Sequence, residues 1–233
     1  KYGFSLGVSA KDYGDIRDSG VGLMPNTGYQ EIDYDLKFDY ALSDSLTLTL
    51  AHQKVTQDDI WRTHRTIFFE PWEGTSLSSP DLRWVYDQSR SLSYLKLKET
   101  NGGGLIDAWD FTLSYQSKEE DFDRTRNRSG LVQSELDSTE VDTYGLGLQL
   151  ESGVGAGRFV YGVDYYRDEV DSTRETLQRD PSTGSLVSRT MEIQGPVGDD
   201  ASYDLFGAFA QYRWAAMNKR LNLTLGGRYT YAK

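Results

Sequence analysis

Residues 31–42 alternate between apolar and polar side chains with almost no error, and this alternation limits what the chain can fold into. One set of alternate positions holds Ile32, Tyr34, Leu36, Phe38, Tyr40 and Leu42. The other set holds Asp33, Asp35, Lys37, Asp39, Ala41 and Ser43. Successive side chains of a β-strand point to opposite faces, so the segment is predicted to be a strand with one apolar face. The fold depends on whether that face contacts protein or lipid.

Eight further segments alternate in the same way, and none longer than about ten residues holds a helical period, so the chain is predicted to be all-β. In the fourth segment the apolar phase changes between Leu92/Tyr94 and Leu95/Leu97, which predicts a β-bulge. The nine predicted strands are residues 1–11, 29–42, 46–59, 83–99, 107–117, 140–150, 158–167, 202–214 and 221–231.

The predicted connections alternate between short and long along the whole chain. The short ones are residues 43–45, 101–104, 151–157 and 215–220. The long ones are residues 12–28, 60–82, 118–139 and 168–200. In an up-and-down antiparallel sheet this order collects the tight turns at one rim and the long loops at the other, as in outer-membrane barrels. A soluble β-sandwich, the alternative interpretation, gives no reason for one set of connections to stay short.

Strand length and tyrosine placement favour the same antiparallel transmembrane β-barrel. The strands have about 10–14 residues, whereas a tilted strand crosses the hydrocarbon layer with about 9–11. Tyrosines gather toward strand ends, where an interfacial aromatic girdle lies. The side chains predicted to face lipid are Ile32, Tyr34, Leu36, Phe38, Leu223 and Leu225. Those predicted to face a wet lumen are Asp33, Asp35, Lys37 and Asp39.

Composition excludes several other classes. The formal charge of −11 argues against a nucleic-acid partner, because phosphate binding needs a basic surface. Without cysteine the chain forms neither a disulfide nor a thiolate metal site. No apolar run approaches the roughly 18 residues of a transmembrane helix. The sequence starts and stops inside alternating patterns, so we expect a piece of a longer barrel.

Two stretches resemble a known family. "LTLTLAHQKVTQDDIWRTHRTI" (46–67) is similar to a strand and loop in the early barrel of TonB-dependent outer-membrane receptors. "FGAFAQYRWAAMNKRLNLTLGGRYTY" (206–231) resembles another recurring piece, a strand, a tight turn and "LTLGGRY". The resemblance implies that residues 1–233 are about nine early strands of a barrel of about 22 strands. The plug domain and the TonB-binding motif of the family are not in this sequence.

The family resemblance implies a bacterial outer-membrane receptor that takes up a scarce, bulky nutrient such as a ferric siderophore or haem. Its partners would be outer-membrane lipid, an extracellular small-molecule ligand and, through the plug, the TonB complex. No cofactor and no catalytic residue is predicted, so the protein is not expected to be an enzyme. Two alternatives remain: a passive porin in which Asp33, Asp35, Asp39 and Asp164 favour cations, and an adhesive barrel that displays its loops.

Residues 58–75 are the best candidates for ligand contact. Within twelve residues the segment concentrates Trp61, Arg62, His64, Arg65, Phe68, Phe69 and Trp72. Arginine and aromatic side chains suit an anionic, aromatic ligand through charge-assisted hydrogen bonds and stacking. The alternative is that the segment packs on its neighbours or on the plug, and that its first residues continue the third strand.

No metal site is predicted. The two histidines, His52 and His64, are twelve residues apart, and no carboxylate spacing supports a shared metal. The acidic groups at residues 119–123 and 199–200 lack the regular spacing of a calcium loop, so they are expected to be solvated charges.

Overall fold

The computed structural model describes residues 1–20, 22–62, 81–216 and 221–233. These residues contain no helix long and apolar enough to span a bilayer. They form twelve β-strands: β1 (Tyr2–Tyr13), β2 (Arg17–Asp18), β3 (Gly22–Leu23), β4 (Tyr29–Ala41), β5 (Leu46–Trp61), β6 (Asp81–Glu99), β7 (Ala108–Arg128), β8 (Leu131–Val154), β9 (Gly157–Arg179), β10 (Leu186–Met191), β11 (Ala201–Ala216) and β12 (Leu221–Ala232).

Nine of these strands form one antiparallel sheet in the order of the sequence, β1-β4-β5-β6-β7-β8-β9-β11-β12. β10 pairs with the far end of β9, and β2 and β3 form a small separate hairpin between β1 and β4. Among the described residues, close approaches between strands occur only between ladder neighbours. The predicted all-β, up-and-down sheet of about nine strands is therefore confirmed.

One register row crosses all nine strands of the sheet and is apolar throughout. It contains Phe4, Phe38, Leu50, Leu95, Leu113, Leu146, Tyr165, Phe206 and Tyr231. The adjacent row, on the opposite side, contains Gly3, Asp39, Thr49, Lys96, Thr112, Gly147, Asp164, Gly207 and Thr230. We name the two sides of the sheet, along the full length of the strands, the apolar face and the polar face.

The apolar face is not covered by a second layer within the described residues. Along the apolar row Phe4 is 65% exposed, Leu50 42%, Leu113 43% and Tyr231 52%. Among the described residues the buried apolar side chains are Trp84, Val85 and Val160 alone. A soluble sandwich would bury one face of each sheet against the other, so the sandwich interpretation does not fit this single layer.

The strands are much longer than predicted, and two predicted long connections are largely strand. β7, β8 and β9 have 21, 24 and 23 residues. The predicted connection 118–139 is wrong: it is the paired ends of β7 and β8, joined at Ser129–Gly130. The predicted connection 168–200 continues β9 to Arg179 and includes β10. In both segments most side chains on each face of the sheet are polar. The sequence therefore lacks the alternation of apolar and polar residues from which a strand is predicted.

The β-bulge predicted in β6 is also wrong. The β5–β6 ladder runs without interruption from Leu46↔Glu99 to Gln57↔Gln88, so Leu92 and Tyr94 lie on the polar face. The register instead shifts between Gln57 and Ile60 in β5, and again between Asp81 and Arg83 on the β6–β7 ladder. At the first shift Asp59 has a φ of 58°, and its amide donates to Asp87 Oδ1 at 2.8 Å.

The short connections at residues 43–45, 101–104 and 151–157 lie at one rim of the sheet, as predicted; of the fourth, residues 215–220, the last four lie outside the described residues. β4 and β5 are joined through Ser43, whose Oγ accepts hydrogen bonds from the Ser45 and Leu46 amides. β8 and β9 are separated only by Gly155 and Ala156, and Gly155 has a φ of 59°. A positive φ at this tight turn favours glycine.

Candidate ligand-binding surface

The side chains predicted to face a lumen lie together on the polar face: Asp33, Asp35, Lys37 and Asp39. Lys11 Nζ lies 2.8 Å from Asp33 Oδ2, and Lys37 Nζ lies 3.1 Å from Asp39 Oδ2. Thr49 donates a further hydrogen bond of 2.6 Å to Asp39. This part of the polar face is thus dominated by paired charges.

The residues predicted to face lipid lie on the apolar face: Ile32, Tyr34, Leu36, Phe38, Leu223 and Leu225. Ile32 is 54% exposed, Leu36 39% and Leu223 47%, so the rest of the described chain leaves them open. The two predicted groups are therefore separated onto opposite faces.

The apolar face ends abruptly at a row of tyrosines. On β7 the apolar positions end at Tyr115, on β8 at Tyr144 and on β9 at Tyr165, and charged or hydroxyl residues follow. The Tyr115 and Tyr144 rings are 5.3 Å apart. Tyr115 OH donates to Asp142 at 2.8 Å and Tyr165 OH to Asp204 at 2.5 Å, so each hydroxyl points to the charged side of the boundary. These tyrosines lie in mid-strand rather than near strand ends, because the strands continue beyond the apolar region.

Of the seven predicted ligand-contact residues, Trp61 and Arg62 lie in the described part of the chain. His64, Arg65, Phe68, Phe69 and Trp72 lie outside the described residues. Trp61 ends β5, and the Arg62 amide donates to the Trp84 carbonyl at 2.9 Å. Arg62 is therefore fixed beside β6 at the rim opposite the short turns.

Arg62 belongs to a stack of charged and aromatic groups that the sequence did not predict. The Arg62 guanidinium lies 4.2 Å from the centre of the Trp84 ring, and the Arg124 guanidinium lies 4.3 Å from it. Trp84 is 8% exposed, and its Nε1 donates to Tyr86 OH at 3.0 Å. Each cation–π contact contributes about 0.5–2 kcal/mol, depending on solvent exposure.

The stack continues along the polar face as a group of arginines: Arg62, Arg124, Arg126, Arg128 and Arg174. Arg124 binds Asp81, whose carboxylate is buried, at 2.8 Å, and Arg126 binds Glu135. Arg174 makes two hydrogen bonds of 2.6 Å to Asp137, which raises the pKa of the already cationic guanidinium. Among the described residues Arg128 has no carboxylate partner and contacts Gln133 only at 3.5 Å.

A depression of about 670 Å³ opens on the polar face beside these arginines. β7, β8 and β9 contribute Arg128, Gln133, Glu135, Arg174, Thr176 and Gln178. Its other wall is the segment after β10, residues 192–195. The Gly195 amide donates to the Ser172 carbonyl at 3.0 Å, and Asp199 accepts from the Ser172 amide at 2.8 Å. The depression is thus lined by hydrogen-bonding groups on a fixed backbone.

Within residues 1–20, 22–62, 81–216 and 221–233 no group of three histidine or acidic side chains could hold a metal ion. His52 hydrogen-bonds Ser93 at 2.8 Å on the apolar face. The acidic run at residues 119–123 is divided between the two faces, since Glu119 and Glu120 point to opposite sides of β7. Asp199 is used as an acceptor within the chain.

Sequence reasoning missed the arginine group because its residues lie in predicted loops. The signal was present: Arg124, Arg126 and Arg128 alternate in "RTRNR", which is strand periodicity with the charged positions on one face. Trp84 gave no such signal, because its stacking depends on the shifted registers at both edges of β6.

No family model matches this chain, and no curated protein matches it either. Its backbone is similar to that of the copper transporter OprC, with a TM-score of 0.70 and 15% sequence identity over 99% of this chain. It is also similar to BauA, the ferric preacinetobactin receptor from Acinetobacter baumannii (TM-score 0.55, 12% identity, 99% of this chain). A third similar structure is the siderophore receptor PiuA from Acinetobacter baumannii (TM-score 0.52, 12% identity, 99% of this chain).

The chain spans 33%, 37% and 42% of the length of these three structures, respectively. The likeness therefore concerns only a part of each larger protein. It agrees with the strand order, the strand lengths and the exposed apolar face described above. The chain has the fold of part of the barrel of a TonB-dependent receptor.

Proposed function

We propose that the apolar face contacts lipid acyl chains and that the polar face lines a water-filled lumen. The observation that carries this proposal is the apolar row that crosses nine strands and remains exposed. A soluble protein rarely leaves so large an apolar surface open. The tyrosines that end this surface, Tyr115, Tyr144 and Tyr165, suit the interface between hydrocarbon and water.

The same sheet serves as part of an active transport receptor of the bacterial outer membrane. The three similar structures are named for copper transport and for ferric or siderophore reception. By analogy we propose uptake of a scarce, bulky nutrient, such as a ferric siderophore or haem, with energy supplied through TonB. In this proposal the described sheet supplies barrel strands, and the plug and the TonB contact are not assigned to any of its residues.

Ligand contact is assigned to the polar face near the rim opposite the short turns. There the exposed Arg62 guanidinium lies over the buried Trp84 ring, and Arg128 lacks a carboxylate partner among the described residues. An anionic ligand with aromatic groups would gain charge-assisted hydrogen bonds and stacking at this surface. Trp61 ends β5 beside this stack, and the remaining candidates, His64, Arg65, Phe68, Phe69 and Trp72, follow in the sequence.

A passive cation channel is supported less well. Of the four acidic residues that would line it, Asp33 and Asp39 are paired with Lys11 and Lys37, and Asp164 binds Arg228 at 2.6 and 2.9 Å. Paired carboxylates give little net attraction to a passing cation. An adhesive barrel has no observation in its favour beyond the length of the strands.

The transport proposal is tested with the full-length protein in its own cells. A deletion strain is supplied with iron as ferric catecholate siderophore, as haem or as ferric citrate, with and without a protonophore. We expect growth on one of these sources to require the gene, and short-term uptake of that iron compound to require the proton gradient. Uptake that persists unchanged in the presence of the protonophore would support the passive channel instead.

Ligand contact is tested by Arg128→Gln in the full-length receptor, using the iron compound identified by the growth assay. We expect roughly tenfold weaker binding, because a hydrogen bond to a charged group is lost. Arg158→Gln is the control, since Arg158 lies at the opposite rim and pairs with Glu151 at 3.0 Å. Equal binding by both variants would place the ligand elsewhere.

A further inference from the structure

A small polar patch interrupts the apolar face over β4, β5 and β6. Two register rows define it: Tyr34↔Lys54↔Ser91 and, one row nearer the short turns, Leu36↔His52↔Ser93. On β7 and β8 the second row continues with Tyr115 and Tyr144, at the boundary of the apolar face. The patch therefore lies at the height of the proposed membrane interface.

The patch contains both fixed and available hydrogen-bonding groups. His52 Nδ1 lies 2.8 Å from Ser93 Oγ, and the Tyr34 hydroxyl lies 3.5 Å from His52 Nε2. The Tyr34 and His52 rings are 5.6 Å apart, which holds the imidazole in place. Within the described part of the chain Lys54 and Ser91 make no side-chain hydrogen bond or ion pair. An ammonium and a hydroxyl on neighbouring strands are thus free to bind an anion.

An apolar depression of about 820 Å³ begins at the patch and extends over the apolar face. His52 and Ser93 form part of its lining, together with Leu36, Phe38, Leu50, Leu95 and Leu113. Its volume is in the range of about 300–1,000 Å³ that is usual for small-molecule sites. An occupant with a polar head at His52 and an apolar body along the leucines would match both parts.

Charge on the surrounding surface favours an anionic head at this place and not elsewhere along the boundary. Beyond the tyrosines of β7, β8 and β9 the same face carries one arginine, Arg167, which pairs with Glu169 and Asp204, and a larger number of acidic side chains: Glu119, Glu140, Asp142, Glu169 and Asp171. Around Lys54 the neighbouring positions are His52, Thr56, Tyr34 and Ser91, none of them acidic. A phosphate would be repelled by the first region and attracted by the second.

We propose that Lys54, Ser91 and the His52–Ser93 pair bind the phosphate of a membrane lipid whose acyl chain lies in the depression. This inference rests on the proposed lipid contact of the apolar face. It goes beyond that contact, because it assigns a specific binding site for one lipid molecule, whereas the rest of the apolar face would contact acyl chains of any lipid. The competing explanation is that Lys54 only extends its ammonium toward water.

The test uses the full-length protein, delipidated in detergent and examined by native mass spectrometry. It is offered phosphatidylglycerol or, as a lipid without phosphate, digalactosyldiacylglycerol. We expect retention of the phospholipid only, and a roughly tenfold loss of retention in Lys54→Gln, since a charge-assisted hydrogen bond is removed. Lys98→Gln is the matched control, because Lys98 lies on the polar face of β6.

Three results would overturn the proposal: equal retention of both lipids, unchanged retention in Lys54→Gln, or displacement of the lipid by millimolar inorganic phosphate. A nitroxide at Leu148→Cys, on the apolar face outside the lining of the depression, separates this failure from failure of the proposed function. If the nitroxide in liposomes is accessible to oxygen and not to a water-soluble nickel complex, the apolar face is in lipid. If Lys54→Gln then leaves phospholipid retention unchanged, the phosphate site is excluded, whereas lipid contact of the apolar face is not.

Discussion

Glycines on the polar face allow large side chains to lie flat across neighbouring strands. Arg228 reaches over Gly207 to Asp164, and a Cβ at Gly207 would lie 2.1 Å from Arg228 Nη2. The Phe209 ring lies in the same way over Gly162. Because glycine has no side chain, the aromatic ring of the neighbouring strand can contact the glycine backbone directly. Such contacts stabilise glycine within strands.

The sharpest stability prediction at the residue scale concerns Gly162→Ala. The added Cβ would lie 2.3 Å from the Leu148 carbonyl oxygen and 2.9 Å from the Phe209 ring, and the carbonyl cannot move without disturbing the ladder. We expect the free energy of unfolding to fall by about 1–3 kcal/mol, as for other overpacked sites. Urea unfolding of the full-length protein measures it.

Gly147→Ala on the adjacent strand is the control for this substitution. A Cβ at Gly147 meets no atom within 4 Å. Alanine should therefore leave the unfolding free energy nearly unchanged. An equal loss in both variants would mean that strand glycines matter here for some reason other than space.

At the scale of elements, the sequence predicts the nine strands of the main sheet but neither where they end nor the short strands β2, β3 and β10. The alternation of β7 stops after Tyr115, yet the strand continues to Arg128, because alternation records a difference between faces and not pairing itself. Beyond the tyrosines both faces are polar, so the pattern disappears while the backbone ladder persists. The register shifts at Gln57/Ile60 and Asp81/Arg83 bring Trp84 between two arginines. The periodicity of a single strand cannot predict this arrangement, because it depends on how neighbouring strands are aligned.

The turn after β9 should respond to acid. Asp180 Oδ1 accepts from the Ser182 and Thr183 amides at 2.8 and 2.9 Å, and these bonds with the Ser182 hydroxyl lower the pKa of Asp180 from 3.8 to about 2. A lowered pKa means that the turn is fully stabilised above about pH 4 and loses this support as the pH falls through about 2. The amide shifts of Ser182 and Thr183, followed by NMR, should titrate with a midpoint near 2.

Asp180→Ala should abolish that titration and shift both amides toward their low-pH positions at neutral pH. A wild-type midpoint at the ordinary aspartate value would show that the carboxylate does not hold the turn in solution.

The segment after β10 is held against β9 by close backbone contact. A Cβ at Gly195 would lie 2.3 Å from Ser172 Oγ and 2.7 Å from the Thr173 carbonyl oxygen. We expect Gly195→Ala to move the segment away from the polar face. The Ser172 amide, which donates a hydrogen bond to Asp199 Oδ1, should then exchange its hydrogen faster. Hydrogen exchange with mass spectrometry measures this in the full-length protein.

Gly198→Ala provides the comparison for Gly195→Ala, because its Cβ would meet only Ala201 Cβ at an ordinary 3.6 Å. Exchange at Ser172 should remain slow in this variant. Fast exchange in the wild-type protein would mean that the wall of the depression is not fixed.

For the whole molecule, the single sheet cannot hold its shape through a core of its own. Among the described residues three apolar side chains are buried, whereas most of the apolar row is open on one side. The hydrophobic effect would drive such a sheet to collapse or aggregate in water. In the proposed membrane setting, acyl chains on the apolar face would remove this drive, and the backbone ladder satisfies the polar groups between strand neighbours, as a membrane requires.

The membrane assignment predicts opposite outcomes for arginine at two adjacent residues of β7. Leu113 lies in the apolar row and Thr112 in the polar row. Arginine at a lipid-facing position near mid-bilayer costs about 2–4 kcal/mol, while a lumen position tolerates it. We therefore expect Leu113→Arg to reduce folding of the full-length protein into phospholipid vesicles, and Thr112→Arg to fold as the wild type does. Heat-modifiable migration in gels measures the folded fraction. Equal folding of both variants, or failure of Thr112→Arg alone, would contradict lipid contact at the apolar face, because only a difference in solvent between the two faces separates these neighbouring sites.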